Sequence, residues 1–473
     1  MARPPEPQIL ARFADIVGEA NTLTAGDDLT RYTHENRNIV VGKTPLVLKP
    51  ANTQEVAGIL KLANETKTAI VPQGGHTGHV AGAVPDESGS QIVLSLERMN
   101  TIREVDAAGN TMTVEAGVIL QKIQEMADAH DRLFPLSLAA EGSCQIGGNI
   151  STNAGGTGVL AYGNTRALVL GLEVVTARGE IWNGLKKLKK DNTGYDLKDL
   201  FIGAEGTLGV VTAAVVKLYA KPKGRAAAWA GLNTPQQALD LLNMALERAG
   251  GSLTAFEFMP RIGVDAVFDH YPQVRNPLDL RHDWQVLLEV SSNRSQQEAE
   301  GELEALLAAA LEAGTINDAA VSASESQRLS FWAIREIMPE SQKHIGASIK
   351  HDISVAVHRI PEFIERAAPI VEAILPGARS FPFGHMGDGN IHYNVSQPAQ
   401  MEAKRFLGER ERIQDAVHAL VLEMDGSISA EHGIGRLKRE LLAKTKDPAA
   451  LAMMRAIKQA LDPNGIMNPG KVL

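Results

Sequence analysis

Pro72-Gln-Gly-Gly-His-Thr-Gly78 is the first of three glycine clusters, and what precedes it shows how it is mounted. Val56, Ile59, Leu60 and Ala63 recur at helical spacing over residues 54–65, and the apolar run Ala69-Ile-Val71 then stops at Pro72. A helix feeds a strand, and the strand opens into the loop. Glycine reaches positive φ and lets backbone N–H groups converge on an anion without help from Lys or Arg. Two more clusters follow: Gly142-Ser-Cys-Gln-Ile-Gly-Gly-Asn149, running on to Asn153-Ala-Gly-Gly156, and Gly203-Ala-Glu-Gly-Thr-Leu-Gly209. Any one of them alone reads as ordinary turns. Three between residues 72 and 209 point to a large phosphate-bearing ligand.

Strands are expected at residues 92–96 and 112–116 and a helix near 118–130, so residues 1–220 read as an α+β domain of short strands and wide loops. Alanine-rich amphipathic helices near 235–247 and 296–313 mark a second domain over 221–420. In the C-terminal segment, 421–473, Leu451, Met454, Ile457 and Leu461 form a helical stripe that ends at Asp462-Pro-Asn-Gly.

Composition excludes several functions. The 473 residues carry 47 Lys+Arg against 56 Asp+Glu, a net charge of −9, which argues against a nucleic-acid partner. A lone Cys144 excludes disulfides and thiolate metal cages within one chain. The start, Met1-Ala-Arg-Pro-Pro-Glu-Pro, lacks the layout of a signal peptide, and no window approaches the roughly 18–20 apolar residues that span a bilayer. A soluble, cytoplasmic protein is the resulting expectation. No Gly-x-Gly-x-x-Gly joins a strand to a helix, which argues against a Rossmann nicotinamide site.

Histidines flank a turn further on. Asp388-Gly389 suits the centre of a two-residue type I′ hairpin, which would place His385 directly opposite His392 with Cβ atoms about 4.5–5.5 Å apart, and Asn394 on the same face. Two imidazoles so placed either share a divalent cation or hydrogen-bond within the hairpin.

Together these motifs carry a resemblance. The Pro72–Gly78 loop, Ile146-Gly-Gly-Asn149 with Asn153-Ala-Gly-Gly156, Tyr162-Gly163, Gly203–Gly209, Gly384-His-Met-Gly-Asp-Gly-Asn-Ile-His392, Glu431-His-Gly-Ile-Gly435 and Asn468-Pro-Gly-Lys471 resemble the FAD-linked D-2-hydroxyacid dehydrogenases. These are flavoproteins of the vanillyl-alcohol-oxidase type, with D-2-hydroxyglutarate and D-lactate branches. The resemblance implies a two-part FAD-binding domain, residues 1–220 plus the C-terminal segment, with an inserted α+β cap domain. It also implies that Pro72, Gln73, Gly74, Gly75, His76, Thr77 and Gly78 hold the FAD pyrophosphate. Gly142, Gly148, Asn153 and Gly206 would approach the flavin or its ribityl chain, and Asn468 would close the site.

In the metal-dependent members the matching positions, His385, His392 and Glu431, bind a zinc-like ion; iron or manganese suits such a set equally. His432 is implied as the base that deprotonates the substrate hydroxyl, the alternative being a partner that orients Glu431. Arg335 and Lys350 stand in segments resembling those that bind the substrate carboxylate, and Asn394 completes the substrate set. One position departs from the hydroxyglutarate branch. Where a threonine four residues beyond the arginine helps hold the distal carboxylate, this chain has Pro339, which has no hydroxyl and no N–H. D-lactate, D-malate or a bulkier D-2-hydroxy acid stay open as substrates. The expected function is therefore oxidation of a D-2-hydroxy acid by hydride transfer to flavin N5, with electrons passed to an electron-transfer flavoprotein, a quinone or another carrier and a homodimer left open. Two alternatives remain. His76 stands where relatives more often carry Asn, and a histidine in a Gly-Gly-His loop is the attachment point in some covalent-flavin oxidases of sugars or alcohols. A flavin-binding subunit without catalysis of its own is the other.

Overall fold

A computed structural model describes residues 4–24, 26, 28–35 and 37–473; Met1, Ala2 and Arg3 of the proline-rich start lie outside them. The chain divides into two compact units. One comprises the residues up to Gly155 with Asn164–Lys221 and Glu431–Leu473, the other Gly156–Gly163 and Pro222–Ala430. No helix among the described residues is long and apolar enough to cross a membrane.

The first unit opens with a four-stranded sheet of β1 (Thr22–Thr24), β2 (Leu46–Leu48), β3 (Ala69–Gln73) and β4 (Gln91–Ser95), in the order β1-β2-β4-β3. Only β1 runs antiparallel to its neighbour. An antiparallel sheet follows, of β5 (Ile102–Asp106), β6 (Thr111–Glu115) and, after the short β7 (Arg132–Leu133), β8 (Val169–Thr176), β9 (Ile181–Gly184) and β10 (Gly209–Lys217), in the order β5-β6-β10-β8-β9. A short β11 (Tyr219–Ala220) pairs with β7. Between the sheets runs helix Thr53–Thr66. Asn52 caps it by accepting the N–H of Glu55, and the Glu55 carboxylate accepts the N–H of Ala51. Its Val56, Ile59 and Leu60 share one buried cluster with Leu48, Ile92 and Leu94 of the first sheet and Val175 and Val210 of the second.

The C-terminal segment returns to this unit beside β3. Ile70 donates its N–H to Ile466 and accepts that of Asn468. The next residue of β3 facing that side is Pro72, which has no N–H to offer, so the pairing ends and Asn468 turns away with φ 44°. The expected tail helix spans Pro448–Leu461, but of its stripe only Leu451 is buried, and Ile457 is 37% exposed. Polar contacts fix it instead: Lys458 Nζ donates to the carbonyls of Thr207 and Met467 and to Asp462.

The second unit is an antiparallel eight-stranded sheet. Its strands are β12 (Gly224–Leu232), β13 (Leu253–Pro260), β14 (Trp284–Ser292), β15 (Asp318–Val321), β16 (Ser348–Ile349), β17 (Ile353–Ser354), β18 (Arg379–His385) and β19 (Asn390–Ser396). The order is β15-β12-β14-β13-β18-β19-β16, with β17 also paired to β19. Helices cover both faces. Pro235–Ala249, Gln296–Glu312, Ile360–Ile374 and Arg410–Glu423 pack on one, and Arg261–His270 with Glu325–Ile345 on the other. The domain end expected at residue 420 falls inside helix Arg410–Glu423, whose Ile413, Val417, Leu420 and Val421 are core residues of this unit.

Candidate functional site

Strand alternation sorts the side chains of the second unit onto two faces. Phe256, Phe258, Ile391 and Tyr393 enter one core, while Trp229, Leu287, Phe381 and Phe383 enter the other. Glu257, His385, Asn390, His392 and Asn394 fall on the second face by the same alternation. Glu257 and His385 are direct partners across β13 and β18. His385 Nδ1 stands 2.6 Å from Glu257 Oε1, and Arg335, from helix Glu325–Ile345, donates its Nε to Glu257 Oε2 at 2.7 Å. Glu257 is only 1% exposed. Burial pushes its pKa up, but the charges and hydrogen bonds of His385 and Arg335 overcome that and hold it at about 2. The Arg335 guanidinium lies 5.0 Å from the centre of the Phe383 ring. Its terminal nitrogens, Nη1 and Nη2, donate to no group among the described residues.

The rings of His385 and His392 are 5.7 Å apart. Asp352, 2% exposed, has its Oδ1 3.9 Å from His392 Nδ1 and accepts from Asn390 Nδ2. His385 thus has a buried carboxylate within hydrogen-bond reach of Nδ1, which leaves its Nε2 as the nitrogen for a ligand, whereas the Asp352 carboxylate lies beside His392 Nδ1 beyond hydrogen-bond distance. Asn394 donates Nδ2 to Gln342 of the covering helix, which leaves Oδ1 as its acceptor. Lys350 is exposed, and its backbone carbonyl accepts from Gln414. Pro339 lies inside helix Glu325–Ile345 and cannot supply the N–H that would bond the Arg335 carbonyl.

The hairpin corrects one expectation. His385 does not oppose His392: the register pairs His385 with Asn390 and Phe383 with His392. Residues 386–389 form a four-residue loop, in which the helical turn Met386–Asp388 is closed by Gly389 at φ 90°. Met386 is fully buried, so the chain must curl before reaching Asp388-Gly389. At Gly389 a Cβ would stand 2.4 Å from the Val355 carbonyl. The register differs by two residues, and because side chains alternate with period two, both histidines and Asn394 keep a common face.

In the first unit the three glycine clusters meet. A Cβ on Gly75 would stand 2.3 Å from the Ser143 carbonyl, so the 72–78 and 142–149 loops are in backbone contact there. The N–H groups of Gly74, Gly75, Thr77 and Gly78 donate to no acceptor among the described residues. Opposite chemistry stands nearby: Gln145 Oε1, Asn149 Oδ1 and Asn468 Oδ1 are buried with no donor. Each such orphan costs about 1–3 kcal/mol. Free donors beside free acceptors suit a ligand with both phosphate oxygens and hydroxyl or amide hydrogens, so these residues fit FAD. Gly148 would carry a Cβ without meeting any atom, Gly142 would meet only Gln121 Oε1 at 3.3 Å, and Gly206 has φ 71° against Pro72. Asn153 is occupied structurally, its Oδ1 accepting the N–H of Arg166. His76, at φ 60°, has its Nε2 2.7 Å from the His34 carbonyl, and burial lowers its pKa.

Glu431 and His432 begin the return segment of the same unit. Glu205 takes the turn that follows: its carboxylate accepts the N–H groups of Ile434 and Gly435, each at 2.7 Å. Burial pushes the Glu205 pKa up against the pull of those two donors. His432 lies edge-on to His79 with ring centres 4.8 Å apart. Asn468 Nδ2 joins the same knot by donating to the carbonyls of Gly82 and Glu205. Glu257, Asp352 and Glu205 are the residues that sequence reasoning missed. For Glu257 a signal existed: it is the lone charge in the strand Leu-Thr-Ala-Phe-Glu-Phe-Met-Pro260.

Comparison with known proteins matches an FAD binding domain over residues 44–184 and the C-terminal domain of FAD linked oxidases over residues 221–472. D-2-hydroxyglutarate dehydrogenase of Arabidopsis thaliana, a mitochondrial enzyme by name, is 38% identical over 98% of this chain and 80% of its own length. The D-2-hydroxyglutarate dehydrogenase of Stutzerimonas stutzeri is 36% identical over 99% of both chains. Among solved structures, p-cresol methylhydroxylase with bound substrate superposes with a TM-score of 0.76 at 16% identity, over 98% of this chain and 96% of that one. The fold is thus that of the vanillyl-alcohol-oxidase type. The cytoplasmic expectation is overturned by the mitochondrial relative.

Proposed function

The chain belongs to the FAD-linked oxidases, and from that premise we propose that it oxidises a D-2-hydroxy acid to the 2-oxo acid. The observation that carries this is Arg335, 7% exposed, with both terminal nitrogens undonated on the sheet face that bears His385 and His392. A buried guanidinium with a free fork is a receptor for a carboxylate.

The N–H groups of Gly74, Gly75, Thr77 and Gly78 and the oxygens of Gln145, Asn149 and Asn468 would hold FAD, which when bound would supply hydride acceptance at N5. A divalent ion on His385, His392 and Glu431, zinc or else iron or manganese, would supply Lewis-acid polarisation of the substrate's hydroxyl and carboxylate oxygens. The remaining work falls to side chains. Arg335 binds the carboxylate, with Lys350 as a second positive charge. Asn394 offers Oδ1 to the C2 hydroxyl. A ring nitrogen of His432 removes the hydroxyl proton. The relatives' names favour D-2-hydroxyglutarate within this class, while Pro339 withdraws a donor from the far end of a dicarboxylate. The electron acceptor is proposed to be an electron-transfer flavoprotein, a quinone or a similar carrier.

The test is anaerobic bleaching of the flavin by a panel of D- and L-2-hydroxy acids, with and without a chelator. D-acids are expected to bleach it and L-acids not. If no D-acid does, the proposal fails; full activity after verified metal removal would discard the ion alone. Acid precipitation addresses the covalent-flavin reading. His76 Nε2 is engaged with the His34 carbonyl, so the flavin is expected in the supernatant. A yellow pellet would show that the bond forms.

A further inference from the structure

We propose that Glu257 is a positioning residue that aims two groups at once, His385 and Arg335; the inference rests on the metal-assisted D-2-hydroxyacid reading above. Its two oxygens are divided, Oε1 to His385 Nδ1 and Oε2 to Arg335 Nε. Three consequences follow from chemistry. Occupying Nδ1–H fixes the His385 tautomer, so the lone pair sits on Nε2, and the adjacent anion raises its basicity as a ligand. Anchoring Arg335 through Nε keeps the terminal pair of nitrogens available for a bidentate carboxylate. A carboxylate 1% exposed is tolerable only while both partners stay in place, so the two arms hold each other in register.

Glu257→Gln separates this from a structural role. Glutamine has one acceptor oxygen and a donating NH2, so either one arm breaks or His385 turns to the Nε2–H tautomer, which takes the lone pair away from the ligand position. In the FAD-loaded protein, zinc affinity measured by competition with a chromophoric chelator should fall about 10–100-fold, and KM for the D-2-hydroxy acid should rise more than kcat falls. A structural role would lower Tm and leave both readouts alone. Should the single variant fail to fold, Glu257→Leu with Arg335→Met replaces the buried pair by apolar groups, a change that proteins often accept. That double variant should bind zinc about 10–100-fold more weakly than Arg335→Met alone. Equal zinc affinity in those two variants, or values of affinity and KM in Glu257→Gln within twofold of the parent, would overturn the proposal. If the parent itself binds no zinc, the metal reading is what fails. The hold on His385 is still decided by nitrogen-15 NMR of its ring, expected as the Nδ1–H tautomer in the parent and lost in the double variant; the same tautomer in both overturns it.

Discussion

His432→Ala is expected to leave the protein folded and yellow while slowing anaerobic flavin reduction by a D-2-hydroxy acid about 10²–10⁴-fold. The backbone at this position does not depend on the imidazole. Gly433 has φ 78°, and a Cβ there would stand 2.8 Å from Glu205 Oε1, so the turn is set by glycine and by the carboxylate that receives Ile434 and Gly435. The ring itself is half-buried beside His79, and its loss removes an edge contact rather than a core residue. FAD content by absorbance after gel filtration and the bleaching rate by stopped flow are the two measurements. Loss of FAD would assign His432 to cofactor retention. Full rate with FAD retained would place the base elsewhere.

What could be read from the sequence was local. The helix and strand before Pro72 follow from spacing alone, and so does the opening of that strand into a glycine-rich loop. Strand β10 carries no periodic signal, because Gly209–Val216 is buried on both faces and shows no alternation. In the histidine hairpin Asp388-Gly389 marks a turn, but burial of Met386 lengthens the loop and moves the register by two. The shared face of His385 and His392 survived because that inference needed only parity. Glu257 and Asp352 were missed for another reason. Their meaning depends on partners 128 and 38 residues away, which no spacing within one element can supply.

The same limit applies to Glu205, for which Glu205→Ala should destabilise the protein by about 2–4 kcal/mol and also slow flavin reduction about tenfold or more. The Glu205 carboxylate is 8% exposed and serves two backbone N–H groups, each left without its acceptor when the side chain is cut to a methyl. Some of the loss is returned, because burial already penalises the charge. Backbone strain does not enter the difference: Glu205 has φ 50°, a conformation equally unfavourable for alanine. The segments that meet here explain the effect on rate. Asn468 Nδ2 reaches the carbonyls of both Gly82 and Glu205, so loosening residue 205 releases the 431–435 turn and the Asn468 corner together. Thermal melting and stopped-flow bleaching read the two effects. Glu205→Gln, with one acceptor oxygen and an amide facing an N–H, should fall between parent and alanine in both. If both variants melt with the parent, the turn is held by Gly433 and Gly435 alone. If they melt early yet bleach at full rate, Glu205 stabilises the unit without aiming His432.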